Sequence, residues 1–436
     1  GGLVGWGECE ASPLTSIANF VCPKSHSAAN PVRDSIINQK LNNLEDVKKI
    51  SRKVKLRSLM IAQTPHTFSG IEVAILDLLA KKEQCPIYEL LGYKKSIPKL
   101  AYASVLFGKT PEETLDIAKK MRQKNFKAVK FGWQNFGLNL DSDKEHLIAA
   151  REGLDSDLML MVDVGAIWGN NINEALKRNN MLTEAKVTWL EEPFYSDAFY
   201  EYSELAKQSS LSLAGGESCH SVESAKNLIR YGNVKYIQID AGIAGGIIAG
   251  KEICEFAESM NVQYVNHTFT SHLQLSASLQ AYAGSVKSTL SEYPMQLKSL
   301  AWDITKNHIL KDDNGCITTP LEVGHGMIIN EKALDQYKMN VEILINSKNV
   351  SKFLFKLKKL IFEFIAIFQV VFIDKIFFLS KTNNKINSKS KKNLFDINLF
   401  FENINLNFLY LVNQTSLNSS CFFQSLQQFP RQILPL

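Results

Sequence analysis

Between residues 97 and 319 the chain alternates short apolar runs, rich in β-branched and aromatic residues, with longer stretches whose apolar positions recur at helical spacing. The runs at 100–105, 128–131, 158–162, 187–190, 211–214, 236–239 and 262–265, with a weaker one ending near Glu292, read as strands, and the stretches between them as amphipathic helices. Eight strands interleaved with helices over about 200 residues predict an α/β fold with a parallel TIM-type (β/α) barrel. A doubly wound open sheet gives the same alternation.

Residues 1–96 follow a different pattern. The opening Gly-Gly-Leu-Val-Gly-Trp-Gly-Glu reads as the inside of a strand, not as a methionine start, signal peptide or transit segment, so further residues are expected before Gly1. A long polar connection comes next. Then Ile71, Ala74, Ile75, Leu78 and Leu79 recur at helical spacing after Thr67 and Ser69, which read as turn residues. Together these predict a small α+β unit, with its start truncated. The barrel is expected to span 97–319, and 320–340 to return to the first unit.

From residue 341 to 436 the composition shifts to Asn, Lys, Ile, Phe and Ser, and 381–393 is close to low complexity, so a tail outside the main fold is expected. Its apolar stretch 360–379 raises the question of a membrane span. Glu363, Asp374 and Lys375 interrupt it, and each charge costs about 2.5–3.5 kcal/mol at the centre of a spanning helix. An amphipathic extension, a disordered tail or translated non-coding sequence fits better, and no membrane partner is expected.

The formal charge of +5 is small for 436 residues, and lysines and arginines alternate with acids, which gives no support to nucleic-acid binding. Seven cysteines occur without a Cys-x-x-Cys pair, suiting a reducing compartment such as the cytoplasm. They read as small buried hydrophobes.

The candidate chemistry lies at the strand ends. Asp163, Glu191, Glu217, Asp240, His267 and Glu292 follow one another at steps of 28, 26, 23, 27 and 25 residues, each about one βα unit, which would place them all at one barrel mouth. Any one carboxylate alone could equally be a surface group, and the histidine alone would read as a structural imidazole. Converging carboxylates repel unless a cation lies between them, and three oxygen donors of this kind suit Mg²⁺. Glu192, next to Glu191, alternates to the other face and is the weaker candidate. Asp240 and His267 could meet side by side, the aspartate fixing the imidazole tautomer and raising its basicity as a general base requires. His272 falls in the following helix and is a weaker candidate.

The run from Lys130 to Glu292 resembles the enolase superfamily, specifically its mandelate racemase-like subgroup. Gly-Trp-Gly-Glu and Ile-Tyr-Glu-Leu-Leu-Gly resemble that subgroup's capping domain, so the likeness covers residues 1–338. The resemblance implies a barrel beneath a cap and a homo-oligomeric assembly. It also implies Mg²⁺ on Asp163, Glu191 and Glu217, a dyad of Asp240 and His267, and Glu292 as a hydrogen-bonding acid near the intermediate. The segment 8–13 resembles a lid loop that touches substrate.

Three departures bear on the reaction. Many relatives carry Lys-x-Lys at the end of the second strand, the second lysine acting as a base opposite the histidine. Here Lys130 holds the first position and Gly132 the second, with Lys127 on the other face. Racemisation needs a proton donor on the face opposite the base, whereas syn elimination of a β-hydroxyl can use one group for both proton transfers. The expectation is therefore a lyase: a dehydratase that takes the α-proton of a sugar acid with His267 and gives a 2-keto-3-deoxy acid. Lys130 would face inward as a cation for the substrate carboxylate. The alternatives are a hydroxy-acid racemase or epimerase with Lys130 or Lys127 as second base, and an inactive fragment. Second, Asp163-Val-Gly165 stands where many relatives show Asp-x-Asn. Third, an early lid loop would precede Gly1.

Overall fold

The strand runs fold as β1 (Lys99–Leu106), β2 (Ala128–Gly132), β3 (Met159–Asp163), β4 (Val187–Glu191), β5 (Leu213–Gly215), β6 (Tyr236–Ile239), β7 (Gln263–Asn266) and β8 (Leu290–Pro294). This is a computed structural model, and it describes residues 2–353 apart from 11, 135, 296, 339, 340, 346 and 347. All pairings among these strands are parallel, in the order β7-β6-β5-β4-β3-β2-β1-β8. The result is a nearly closed barrel, and the open-sheet alternative falls away. β9 (Cys316–Ile317) adds an antiparallel edge to β1.

One side chain does much to hold the seam between β7 and β8. Asn266 Oδ1 accepts from the Glu292 backbone N–H (3.0 Å), the Ser291 hydroxyl (2.7 Å) and the Tyr282 hydroxyl (2.8 Å), while its Nδ2 donates to the Glu292 carbonyl (3.3 Å). The amide thus does the work of a peptide unit in the missing ladder.

Among the described residues five helices precede the barrel: α1 (Pro13–Val21), α2 (Arg33–Ile36), α3 (Leu44–Arg57), α4 (Thr64–Glu83) and α5 (Ile87–Leu90). Those connecting the strands are α6 (Pro111–Gln123), α7 (Leu140–Leu154), α8 (Ile172–Glu184), α9 (Phe199–Gln208), α10 (Val222–Tyr231), α11 (Ile247–Ser259) and α12 (His272–Ala281). Short polar residues set several starts: Thr110, Asn139, Asn171, Ser221 and Ser271 each accept from a backbone N–H in the first turn of the helix that follows. Such caps contribute about 1 kcal/mol each.

The first unit departs from expectation. Residues 2–10 form no strand among the described residues. They run instead along α4, where the Trp6 N–H donates to Asp77 Oδ2 at 2.9 Å. The approach is so close that a Cβ on Gly5 or Gly7 would lie 1.9 Å from the Ala74 carbonyl oxygen or 2.1 Å from that of Gly70. The glycines of the stretch read as a strand serve helix contact, and the regular elements described in this unit are all helices. Thr67 and Ser69 lie inside α4, buried, not ahead of it; Pro65 in its first turn marks the start.

Several joints tie this unit to the rest of the fold. Buried Glu72 of α4 accepts from the N–H groups of Ile247 and Ile248, both at 2.9 Å, in the first turn of α11. Further on, Gly324 exchanges backbone hydrogen bonds with Cys85 and Ile87, each 3.0 Å. Gly1–Leu334 belong to one compact unit.

Separately, β10 (Val341–Ile345) and β11 (Lys348–Phe353) pair as an antiparallel ribbon. Most of the expected tail, with the 360–379 stretch and Cys421, lies outside the described residues. Among the described residues no helix is long and apolar enough to cross a membrane. Of the described cysteines, Cys9, Cys219 and Cys254 are buried as expected, whereas Cys22, Cys85 and Cys316 are only half-buried.

Candidate active site

Alternation along each strand decides which side chains enter the barrel. On β2, Val129 and Phe131 pack outward against helices, so Ala128, Lys130 and Gly132 face inward. By the same rule Met161 and Asp163 enter from β3, Trp189 and Glu191 from β4, Val265 and then His267 from β7, and Leu290 and Glu292 from β8. Parallel register sets Gly132 beside Asp163 and Asp163 beside Glu191. Glu217 follows β5 after the turn at Gly216, and Asp240 and His267 are the first residues beyond β6 and β7. All six predicted residues meet at one mouth.

Asp163, Glu191 and Glu217 each offer a carboxylate oxygen, and these oxygens lie within 4.8 Å of one another. Ligands about 2.0–2.1 Å from an octahedral Mg²⁺ stand roughly 2.9–4.2 Å apart, so the donor set fits a hard divalent cation. The carboxylates are fixed from behind. Asp163 Oδ1 accepts from the Gly165 N–H (2.9 Å), and Glu191 Oε2 accepts from Trp189 Nε1 (2.9 Å). Glu192 is not a bystander: buried, it accepts from the Gly216 N–H (2.5 Å) and the Tyr202 hydroxyl (3.2 Å), bracing the turn that presents Glu217.

Lys130 lies among these acids, its ammonium bonded to Glu191 and within 3.0 Å of Glu292 Oε1 and 3.4 Å of Asp163 Oδ2. Burial opposes its charge, but the Glu191, Glu292 and Asp163 carboxylates outweigh burial and hold it well above the usual lysine range. One ammonium does not balance so many acids. Burial, aided by Asp163 and Glu292 and opposed by Lys130, pushes Glu191 up to about 8, and burial also drives Glu217 far upward. Protons or a further cation must relieve this crowding.

His267 Nδ1 faces Asp240 Oδ2 at 3.0 Å. Asp240 Oδ1 already accepts from the Gly242 N–H (2.6 Å) and Gln274 Nε2 (3.1 Å), which favours the ionised aspartate, so Nδ1 carries the proton donated to it. Nε2 is left as the working nitrogen, 3.5 Å from Glu217 Oε2. Burial would lower the basicity of this imidazole; the Glu292, Asp240 and Glu217 carboxylates reverse that and raise it well above the ordinary histidine value. Glu292 is itself held by Lys130 and by the Thr268 N–H, 2.7 Å from Oε2.

Two residues weighed as weaker candidates lie away from the site. Lys127 precedes β2 and is exposed at the end of the barrel away from the carboxylates, so it cannot serve as a second base. His272 opens α12, accepts from the Ile309 N–H (3.2 Å) and is pushed by burial down to about 4. In turn, sequence reasoning missed Gln274, Trp189 and above all Glu10, whose carboxyl reaches Asp240 and His267 from the first unit. Gln274, two residues into a helix headed by the cap Ser271, had a readable position but no chemical signature.

Comparison with known proteins agrees with this geometry. Residues 1–92 match the family described as mandelate racemase / muconate lactonizing enzyme, N-terminal domain, and residues 113–333 match the enolase C-terminal domain-like family. A crystal structure described as that of a predicted mandelate racemase from Rhodobacter sphaeroides is 45% identical, covers 81% of this chain and 90% of its own, and superposes with a TM-score of 0.77. The chain belongs to the enolase superfamily, in its mandelate racemase-like subgroup. Among curated enolase-superfamily relatives, the D-galactarolactone cycloisomerase of Agrobacterium fabrum is 27% identical over 78% of this chain and 89% of its own length. The arabinonate dehydratase of Saccharolobus solfataricus is 27% identical over 62% and 71%. The superfamily is thus one of enzymes whose named members span cycloisomerisation and dehydration.

Proposed function

We propose that this enzyme is a Mg²⁺-dependent dehydratase of a sugar acid. The observation that carries the reading is the single inward imidazole, His267, with Gly132 standing where a facing lysine would be. The named activity of the Saccharolobus relative supports it.

On this reading residues 1–96 cap the barrel of 97–319, with 320–340 returning to the cap. Asp163, Glu191 and Glu217 would hold the cation, which when bound supplies positive charge where the substrate carboxylate becomes more negative. His267 Nε2 takes the proton from the carbon next to that carboxylate, with Asp240 stabilising the imidazolium that forms. Lys130 and Glu292, locked together at the barrel wall, set the charge and hydrogen bonding beside the reacting carbon. The same imidazolium then gives its proton to the departing β-hydroxyl on the same face. Water leaves, and the enol becomes the 2-keto-3-deoxy acid.

Racemisation would require Lys130 as the second base, yet its ammonium is committed to Glu191 and Glu292. Incubation with Mg²⁺ and a panel of sugar acids is expected to give a 2-keto acid from at least one member. His267→Asn should slow that turnover by about 10²- to 10⁴-fold while leaving the thermal shift caused by Mg²⁺. Inverted, α-deuterated substrate in D₂O without keto acid would overturn the dehydratase in favour of a racemase.

A further inference from the structure

We propose that Glu10, on the segment leading into the cap helices, is a positioning residue of the Asp240–His267 pair, keeping its carboxyl proton and donating it to Asp240. The inference rests on the reading of His267 as the base.

The geometry places three groups together. A carboxylate oxygen of Glu10, one of Asp240 and a ring nitrogen of His267 lie within 4.8 Å of one another, so the Glu10 and Asp240 carboxyls face each other at close range. Glu10 is gripped from both sides. Its carbonyl oxygen accepts from His66 Nδ1 of α4 at 2.9 Å, and its backbone nitrogen presses on the turn after β6, where a Cβ on Gly242 would lie 2.9 Å away.

Two buried carboxyl groups this close cannot both be ionised without strong repulsion, so the pair retains one proton. Its position follows from the other partners. Asp240 accepts from Gly242, from Gln274 of α12 and from His267, all donors that favour a carboxylate. Glu10 Oε2, by contrast, is buried with no partner, a poor place for a full charge. The remaining ionisable groups facing it are Glu8 on the same segment, His267 and, from α4, His66. Burial and then the Asp240 charge raise Glu10 to about 8; Glu8 adds to this and His267 opposes it. Burial lowers His66, so that ring brings no compensating cation.

Asp240 is thereby shared between a donor from the cap and the imidazole it orients. The barrel alone does not supply the complete base; residue 10 contributes from outside it.

The test uses the Mg²⁺-loaded full chain. The infrared difference between wild type and Glu10→Gln at neutral pH should contain the carbonyl stretch of a protonated carboxylic acid. Glu10→Ala should lose about 10- to 100-fold in kcat with KM little changed, and Glu10→Gln, whose amide N–H replaces the lost O–H, should recover most of that loss. Absence of the acid band, a glutamine variant as slow as the alanine variant, or a loss confined to KM would overturn the proposal. If wild type turns over no sugar acid, the reaction assigned above fails, while the infrared comparison still decides the state of Glu10.

Discussion

At the scale of single residues, the Asp163-Val-Gly165 departure acquires a physical partner. Gly165 has φ +56°, and a Cβ there would lie 3.0 Å from Trp133 Cε2. Trp133, itself at φ +59° on the loop leaving β2, occupies the space into which a side chain at 165 would grow. Gly165→Asn is expected to cost about 1–3 kcal/mol through overpacking. In the Trp133→Ala, Gly165→Asn double variant much of that loss should return, giving a coupling of about 0.5–3 kcal/mol in a denaturation cycle. Strict additivity would show that the indole is not the obstacle. The missing amide was legible in the sequence, but the ring that takes its place was not, because nothing in a linear reading joins the end of one strand to the loop after the next. Glu10 escaped for the same reason. His267 and the three clustered acids did not, since each recurs one βα unit after the last.

At the scale of elements, the barrel strands were readable because a two-residue period with one face against helices leaves a dense apolar mark. Their inward residues followed without further assumption. The first unit was misread where polar or small residues do buried work: Thr67 and Ser69 inside α4, and Gly5 and Gly7 against it. The closing seam had no signature, since Asn266 resembles any polar residue at a strand end. Its replacement by alanine would strand the Glu292 N–H and take an acceptor from the Ser291 and Tyr282 hydroxyls. At about 1–3 kcal/mol for each buried orphan, Asn266→Ala should lower the urea midpoint and speed amide exchange in β7 and β8 before the other strands. Uniform exchange would mean that the seam is held by something else.

At the scale of the molecule, acids are buried in unusual number, and their protons are linked to folding. Burial raises Glu8 and Glu72 from 4.5 to about 8. A carboxyl whose folded value lies above its unfolded one binds more protons in the native state, so its stabilisation is complete below 4.5 and is lost as pH rises towards about 8. The metal-free protein should therefore melt at progressively lower temperature across that interval, and Glu72→Gln should flatten the slope. Mg²⁺ should raise the melting temperature most at the alkaline end, where Glu191 no longer holds a proton in competition. A melting temperature that climbs with pH in the absence of metal would refute the linkage.

Lys130 bears on how the acids at the mouth can be brought together. Its ammonium spans acids contributed by β3, β4 and β8, so a newly made chain carries its own provisional counter-ion into the barrel. Unlike small domains that stay unfolded until metal arrives, a chain with such a lysine would need no ion to close, and on the proposed reading a cation would enter a cage already formed.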